Sequence, residues 1–504
     1  MARMTLKERY HHMTRLGWQP TYQPMEKVYP QATYEGIKVR NWDDWEDPFR
    51  MTMEAYWKYQ GEKERKLYAI MDSFAQNNGH LNLSDARYVN ALKLFLQGVT
   101  PLEYQAHRGF ARQARQFPGE GASVACHMQS LDELRHTQTQ IHTLSHYNKY
   151  FDGFHDFTRW HDRVWYLSVP KSFFDDASTA GPFEFIVSVG FSFEFVLTNL
   201  LFVPFMSGAA YNGDMSTVTF GFSAQSDESR HMTLGLQAVK FMLEQHEDNV
   251  PIVQQWIDKW LWRGYRVLSL VAAMQDYMLP ESPMSWKEAW EIYFEENGGA
   301  LFQDLERYGI RMPDYAPICA AEKDHLSHQV WGILYNHTAA AAFHTWVPDE
   351  RKMDWLSAKY PDTFDKYYRP RLEYWRELEQ KGERYYSQTL PLICQTCQIP
   401  MGFTEVANGD PMQVAYRSTE YNGDRYHFCS DPCQAIFERE PEKFVHAWLP
   451  PQQIFQGNCG GASLEDVLKW YNIQPGDNLD YAGSPDEQRW LEWKGLAAAR
   501  EAAE

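Results

Sequence analysis

Two stretches of this chain repeat one another. Asp132-Glu133-Leu134-Arg135-His136 and Asp227-Glu228-Ser229-Arg230-His231 each carry a Glu and a His three positions apart. On a helix, positions i and i+3 share a face, with Cβ atoms roughly 5–6 Å apart. Each copy can therefore hand one carboxylate and one imidazole to the same metal ion. A lone Glu-x-x-His says little, since a chain this long holds about one by chance. Two copies with the same Asp and Arg in register are much harder to obtain by accident.

A carboxylate-bridged dimetal site in a ferritin-like bundle needs one more Glu from each of two further helices. Glu103 and Glu194 stand on the helical stretches that precede the two motifs. Both lie in apolar surroundings, where an unpaired carboxylate costs several kcal/mol. Glu194 is flanked by Phe191, Phe193, Phe195 and Phe202. Metal ligation removes that cost. Glu103, Glu133, His136, Glu194, Glu228 and His231 form a hard-to-borderline donor set, suited to iron or manganese. Their four negative charges neutralise two divalent ions. Asp132 and Asp227 are placed to accept from the imidazole N–H groups, crosswise: Asp132 with His231, and Asp227 with His136. Arg135 and Arg230 are expected to pair with these acids. The competing reading, buried helix salt bridges alone, leaves an expensive cluster uncompensated.

A second metal pattern lies downstream. Cys394-x2-Cys397 followed by Cys429-x3-Cys433 has the spacing of a structural zinc site. Four thiolates close the coordination sphere, and the surrounding module is too small to fold on an apolar core alone. Cys126, Cys319 and Cys459 lack partners at ligand spacing and read as inert.

These residues need elements to carry them. From Met53 to Lys381 apolar residues recur at spacings of three and four, as in Tyr88, Ala91, Leu92, Phe95 and Leu96. Ser84 and Asp85 offer an N-cap to that helix. Gly and Pro clusters break the run near 117–121, 179–182, 207–214 and 279–283. The expected fold is mainly α: a ferritin-like helical bundle with a small C-terminal α+β zinc-binding module. The expected organisation is an irregular arm over 1–50, the helical domain over 51–382, the four-cysteine zinc module over 383–450 and a polar tail over 451–504. Short strands are expected at 402–406, 414–417 and 426–428.

Composition sets limits. The net charge of −19 argues against a nucleic-acid surface. The polar N-terminal stretch has no signal-peptide core, which points to the cytoplasm. Only 183–205 tempts a membrane assignment, and Glu184, Glu194 and Asn199 interrupt it, so it reads as a buried central helix and no membrane partner is expected. Seven cysteines in such a chain favour metal or core roles over disulfides.

The chain resembles the large (alpha) hydroxylase subunit of the soluble bacterial diiron multicomponent monooxygenases, and within them the phenol hydroxylases. The resemblance runs through Trp45-Glu46-Asp47-Pro48-Phe49-Arg50, 147–205 and 392–433. It implies that the six ligands named above hold two iron ions and that Thr198 takes part in proton delivery. It places a gating pair of polar residues on Asn199 and Gln225. Helical spacing from Glu103 and Glu194 selects Val99, Ala106, Phe110, Phe191, Thr198 and Phe202 as pocket residues, and the resemblance adds Phe174 and Phe193. His107 reads as a satisfied core or rim histidine. No Gly-x-Gly-x-x-Gly loop and no ferredoxin-type cysteine run occurs, so no flavin or NADH is expected on this chain. Electrons must come from another protein.

In the family that protein is an FAD and iron–sulfur NADH reductase, accompanied by a small regulatory protein. Beta and gamma subunits complete a dimer of heterotrimers. The activity so implied is O2-dependent hydroxylation of phenol and methylphenols to catechols. A toluene or benzene monooxygenase is the nearest alternative. A ferritin-like radical-generating subunit or iron store, and a non-catalytic scaffold subunit, are further ones. The length, the cysteine module and Thr198 count against an iron store, and the complete ligand set counts against a scaffold.

Overall fold

The computed structural model describes residues 21–46, 51–83, 86–151, 167–279, 282–336, 347–383, 392–401 and 417–447, with short pieces within 4–13 and 406–414. The Ser84–Asp85 cap, the strand expected over 402–405, Cys459 and the tail over 451–504 lie outside the described residues.

The helices that matter for the site are α1 Met53–Gln76, α2 Ala86–Ala114, α3 Glu120–Tyr147, α4 Ser168–Thr179, α5 Pro182–Tyr211, α6 Met215–Gln245 and α7 Asn249–Ala273. Their ends follow from local chemistry. The Thr52 hydroxyl accepts from the Ala55 N–H and opens α1. Asp214 accepts from the Thr217 N–H and opens α6. The same carboxylate accepts from the hydroxyls of Tyr88 on α2 and Tyr147 on α3, so one buried cap pins three helices. Pro182 sits in the first turn of α5, where its missing N–H is not needed.

Helices α2 and α3 pack together along their length, and α6 packs against α5 and α3. These four form the ferritin-like bundle. Helix α7 covers α5 from one side, and α1 covers α6 from another. Helix α5 is long and apolar enough to cross a membrane, yet 78% of its most apolar window is buried inside the chain. Its carboxylate Glu184 meets Lys259 and the Trp260 indole of α7, each at 2.9 Å. The stretch Val187–Leu197 of α5 is π-helical, with i→i+5 hydrogen bonding.

The centre of the bundle is held close by two glycines. A Cβ built on Gly235 of α6 would fall into the Gly190 carbonyl of α5. Gly190 stands four residues before Glu194, and Gly235 four after His231, so this crossing sets how near those ligands come.

Beyond 383 the chain turns to short strands. β1 Val406–Ala407 pairs with β2 Asp410–Val414, and β3 Arg417–Tyr421 pairs with β4 Asp424–Phe428, both antiparallel. Of the strand expected over 414–417, Val414 lies in β2 and Arg417 in β3, and Ala415 and Tyr416 lie outside the described residues. Asn422 and Gly423, at φ 53° and 87°, make the two-residue turn that joins β3 to β4. Helix α8 Asp431–Arg439 follows and packs on β3 and β4.

Gly235→Ala cannot be absorbed by side-chain adjustment, because the obstacle is backbone. It is expected to destabilise the chain by about 1–3 kcal/mol or more, read as a lower midpoint of thermal unfolding.

Candidate dimetal centre

The six expected ligands converge at the middle of the bundle. Glu103 comes from α2, Glu133 and His136 from α3, Glu194 from α5, and Glu228 and His231 from α6. His136 Nδ1 lies 3.6 Å from Glu133 Oε2, 3.7 Å from Glu103 Oε2 and 3.9 Å from Glu228 Oε1. His231 Nδ1 lies 3.3 Å from Glu133 Oε1, 3.4 Å from Glu228 Oε2 and 3.9 Å from Glu194 Oε2. Glu133 and Glu228 thus direct one oxygen to each imidazole, while Glu103 and Glu194 serve one side each. His136 Nδ1, His231 Nδ1 and Glu228 Oε2 are buried without a hydrogen-bond partner. Such orphaned atoms at one point fit a pair of metal ions placed between the rings.

Without metal the cluster limits its charge by holding protons. Burial pushes Glu133 up to about 7 and Glu194 well above the carboxylate range. Although burial opposes it, hydrogen bonds with Asp227 and Glu103 push His136 well above the imidazole range. His231 moves the same way against burial, under the pull of Glu133 and Glu228. Metal ions must displace these protons.

The far side of each imidazole is fixed by the crosswise acids. His136 Nε2 lies 3.2 Å from Asp227 Oδ2, and His231 Nε2 lies 3.3 Å from Asp132 Oδ2. Arg135 reaches Asp132 at 3.0 Å and Asp227 at 3.3 Å. Arg230 binds Asp132 and lies 3.2 Å from Asp227. Helix α1 adds an outer layer that sequence reasoning missed. The Tyr56 hydroxyl donates to Asp132 at 2.7 Å. Gln60 Nε2 donates to both Asp132 and Asp227, at 2.9 and 2.8 Å. Lys63 binds Asp227 at 2.5 Å, and Glu64 binds Arg135 at 2.7 Å. The signal for it was a Gln at a core-facing position, four after Tyr56 and seven before Leu67, in an otherwise charged helix. Two more glutamines on α3 were also missed. Gln129 donates to Glu194 at 2.6 Å, and Gln140 to Glu103 at 3.2 Å. Each stands four residues from a ligand.

A cavity of about 120 Å³ opens beside Glu103, Glu133, Glu194 and Glu228. Its walls include Val99, Ala106, Phe174, Phe193, Thr198 and Phe202, as expected from sequence. Phe110 and Phe191 do not line it. Phe110 stands past the end of the cavity, edge-on to Phe185 at 4.9 Å. Phe191 stacks on Phe195 at 5.9 Å, because the π-helical turn removes the i, i+3 relation to Glu194. The same turn lets the Thr198 hydroxyl donate to the carbonyl of Phe193, five residues back, at 3.2 Å. Asn199 and Gln225 are half-buried on α5 and α6 and do not line the cavity. His107 bonds the Ser130 carbonyl at 2.8 Å and the Ser130 hydroxyl at 3.0 Å, a satisfied rim histidine.

Residues 18–246 match the family model for methane/phenol/alkene hydroxylases. The oxygenase component DmpN of phenol 2-monooxygenase from Pseudomonas sp. (strain CF600) is 65% identical over 98% of this chain and 96% of its own length. The chain belongs to this hydroxylase family. Phenol hydroxylase from Pseudomonas sp. OX1, seen in a xenon-pressurised crystal structure, superposes with a TM-score of 0.93. It is 63% identical and covers 97% of this chain and all of its own. A more distant hydroxylase, the alkene monooxygenase oxygenase subunit alpha of Xanthobacter autotrophicus, is 26% identical over 94% of this chain and 95% of its own. The family implies a diiron centre, and the donor set above fits one. As an oxygenase component, the hydroxylase implies further components that act with it.

Residues 408–448 match a YHS domain, a stretch that includes Cys429 and Cys433 of the cysteine cluster but starts after Cys394 and Cys397. Cys394, Cys397, Cys429 and Cys433 are all buried, with ligand atoms within 4.8 Å of one another. Gln398 adopts a left-handed φ of 61° just after Cys397, which turns the Cys-x2-Cys loop back on itself. The arrangement is compatible with zinc. The Trp262 indole of α7 donates to Cys433 Sγ at 3.1 Å, tying the module to the bundle. Cys126 and Cys319 are buried elsewhere, and burial pushes both thiols up.

Two outcomes are expected here. Loading the metal-free chain with ferrous iron at pH 7 releases at least two protons per chain, one from each imidazole, read by an indicator dye in weak buffer. Asp132→Asn or Asp227→Asn weakens iron retention by roughly 10–100-fold, read by metal analysis after dialysis against a graded chelator.

Proposed function

We propose that this chain is the hydroxylase component of a phenol 2-monooxygenase, converting phenol and methylphenols to catechols. The balanced reaction is phenol + O2 + NADH + H⁺ → catechol + H2O + NAD⁺. The observation that carries it is the cavity of about 120 Å³, apolar except at the carboxylates and a few polar groups such as Thr198 and Gln140. An apolar cavity of ~150 Å³ accepts benzene in another protein, and this one is somewhat smaller but of the same order, the scale of a single aromatic ring. The 65% identical DmpN, an oxygenase component of phenol 2-monooxygenase, favours phenol over toluene or benzene.

Glu103, Glu133, His136, Glu194, Glu228 and His231 would hold two irons, and the four cysteines one zinc. The iron pair, when bound, supplies O2 binding and the redox chemistry. The chain supplies the rest. Phe174, Phe193 and Phe202 hold the ring flat and keep water out. Thr198 holds a transferable proton at its hydroxyl, which must leave the Phe193 carbonyl to deliver it. Asn199 and Gln225, behind the cavity wall, act as a polar gate. Asp132, Arg135, Asp227 and Arg230 keep the imidazoles aimed. Beta and gamma subunits, a small regulatory protein and an FAD and iron–sulfur NADH reductase complete a cytoplasmic system. We assign residues 51–382 to the diiron domain and 383–450 to the zinc module.

The test is product analysis with the reconstituted system and NADH under ¹⁸O2, with phenol and toluene in competition. Catechol carrying one ¹⁸O atom, formed in preference to cresols, is the expected result. Preferential cresol formation would move the reading to a toluene monooxygenase. No oxygenated product from iron-loaded chain with active reductase would overturn it. Ala106→Phe, which fills the cavity, is expected to lower kcat/KM for phenol by an order of magnitude or more while iron content stays constant.

A further inference from the structure

A third group of metal-ligating side chains lies away from both centres. His142 and His146 stand at i and i+4 near the C-terminal end of α3, and Asp72 faces them from α1. His142 Nε2 lies 2.9 Å from Asp72 Oδ1, and His146 Nε2 lies 3.3 Å from the same oxygen. We propose that Asp72, His142 and His146 bind a borderline divalent cation of the zinc, cobalt or nickel type, at a site independent of the diiron and cysteine centres.

Three observations support this. First, the spacing is right. Donor atoms bonded at ~2.0–2.1 Å to a tetrahedral or octahedral ion stand roughly 2.9–3.4 Å apart, as each imidazole Nε2 does from Asp72 Oδ1, and the three donor atoms lie within 4.8 Å of one another. Second, two histidines at i, i+4 on one helix are the pairing that helical zinc sites use. Third, the rings are held in place. Tyr68 packs edge-on to His142 at 4.7 Å, and the two histidines pack edge-on to each other at 4.6 Å. His146 Nδ1 is buried without a hydrogen-bond partner, so Asp72 is the polar group that Nε2 meets.

The donor set also sets selectivity. Two imidazoles and one carboxylate suit zinc, cobalt, nickel or copper and disfavour magnesium and calcium. The site is partly exposed, with side-chain exposures of 33% for His142, 18% for His146 and 45% for Asp72, so water can complete the coordination. A bound ion would cross-link α1 to α3. Helix α1 also carries Tyr56, Gln60 and Lys63 against Asp132 of α3 and Asp227 of α6. The ion would therefore stiffen the layer behind the dimetal centre without touching it.

The experiment uses the full chain already loaded with iron and zinc, titrated with Co²⁺ and followed by visible absorption and equilibrium dialysis. One further Co²⁺ per chain is expected, with a rise in the thermal midpoint. His146→Ala and Asp72→Asn should each weaken that binding roughly tenfold or more and remove the thermal shift, with iron and cysteine-bound zinc unchanged. Mg²⁺ and Ca²⁺ should produce neither signal. No additional equivalent, or one that persists in His142→Ala/His146→Ala, would overturn the proposal. The side chains are partly exposed, so the variants should fold, and retained iron content reports that they have.

Discussion

Four carboxylates and two imidazoles share one buried space between α2, α3, α5 and α6. Like charges so close repel strongly in a medium of low polarity. The arrangement stands only if positive charge sits among them, either protons or metal ions. Everything nearby answers that demand. Asp132 and Asp227 draw the imidazoles outward and hold their lone pairs inward. Arg135, Arg230 and Lys63 neutralise the acids. Gln60 joins the two acids through one amide, so the halves of the site share a common brace. The duplicated motif is thus mirrored in space, each acid serving the other copy's histidine.

The π-helical stretch of α5 is the second device. A regular helix would keep Phe191, Glu194 and Thr198 on one stripe. The wider turn moves Phe191 into aromatic packing and leaves Glu194 and Thr198 on the cavity wall. Such insertions cost backbone stability and recur at functional sites. Here the loss is offset by dense burial: α6 and α7 enclose the stretch, and glycine contacts at Gly190–Gly235 and Gly264–Leu197 let the helices approach.

The cluster of six was legible because residues that could share a metal must have fixed types at fixed spacing. Glu133, His136, Glu228 and His231 announce themselves by repetition, and Glu103 and Glu194 by charge in apolar stretches. The cysteine cluster was legible for the same reason, as were the helical class and its breaks. The outer layer from α1 was not, because Tyr56 and Gln60 find their partners through tertiary packing and not by local pattern. Phe191 falls off the cavity because the spacing argument assumes an unbroken α-helix, and Phe110, on a regular helix, because its ring packs on Phe185 instead. The Asn422-Gly423 turn carries a clear hairpin signal.

Helix α5 has one more consequence, and it concerns synthesis. During translation this segment leaves the ribosome before α6 and α7, the helices that bury it, have been made. For that interval a 30-residue stretch of mean hydropathy 1.9 over its most apolar window stands uncovered. By length and composition it resembles an anchor that export machinery would insert. Glu194, near the middle of the stretch, then matters apart from the folded site. A carboxylate at that position raises the cost of membrane insertion by a few kcal/mol. The same side chain that the folded bundle buries thus counts against insertion before the bundle exists.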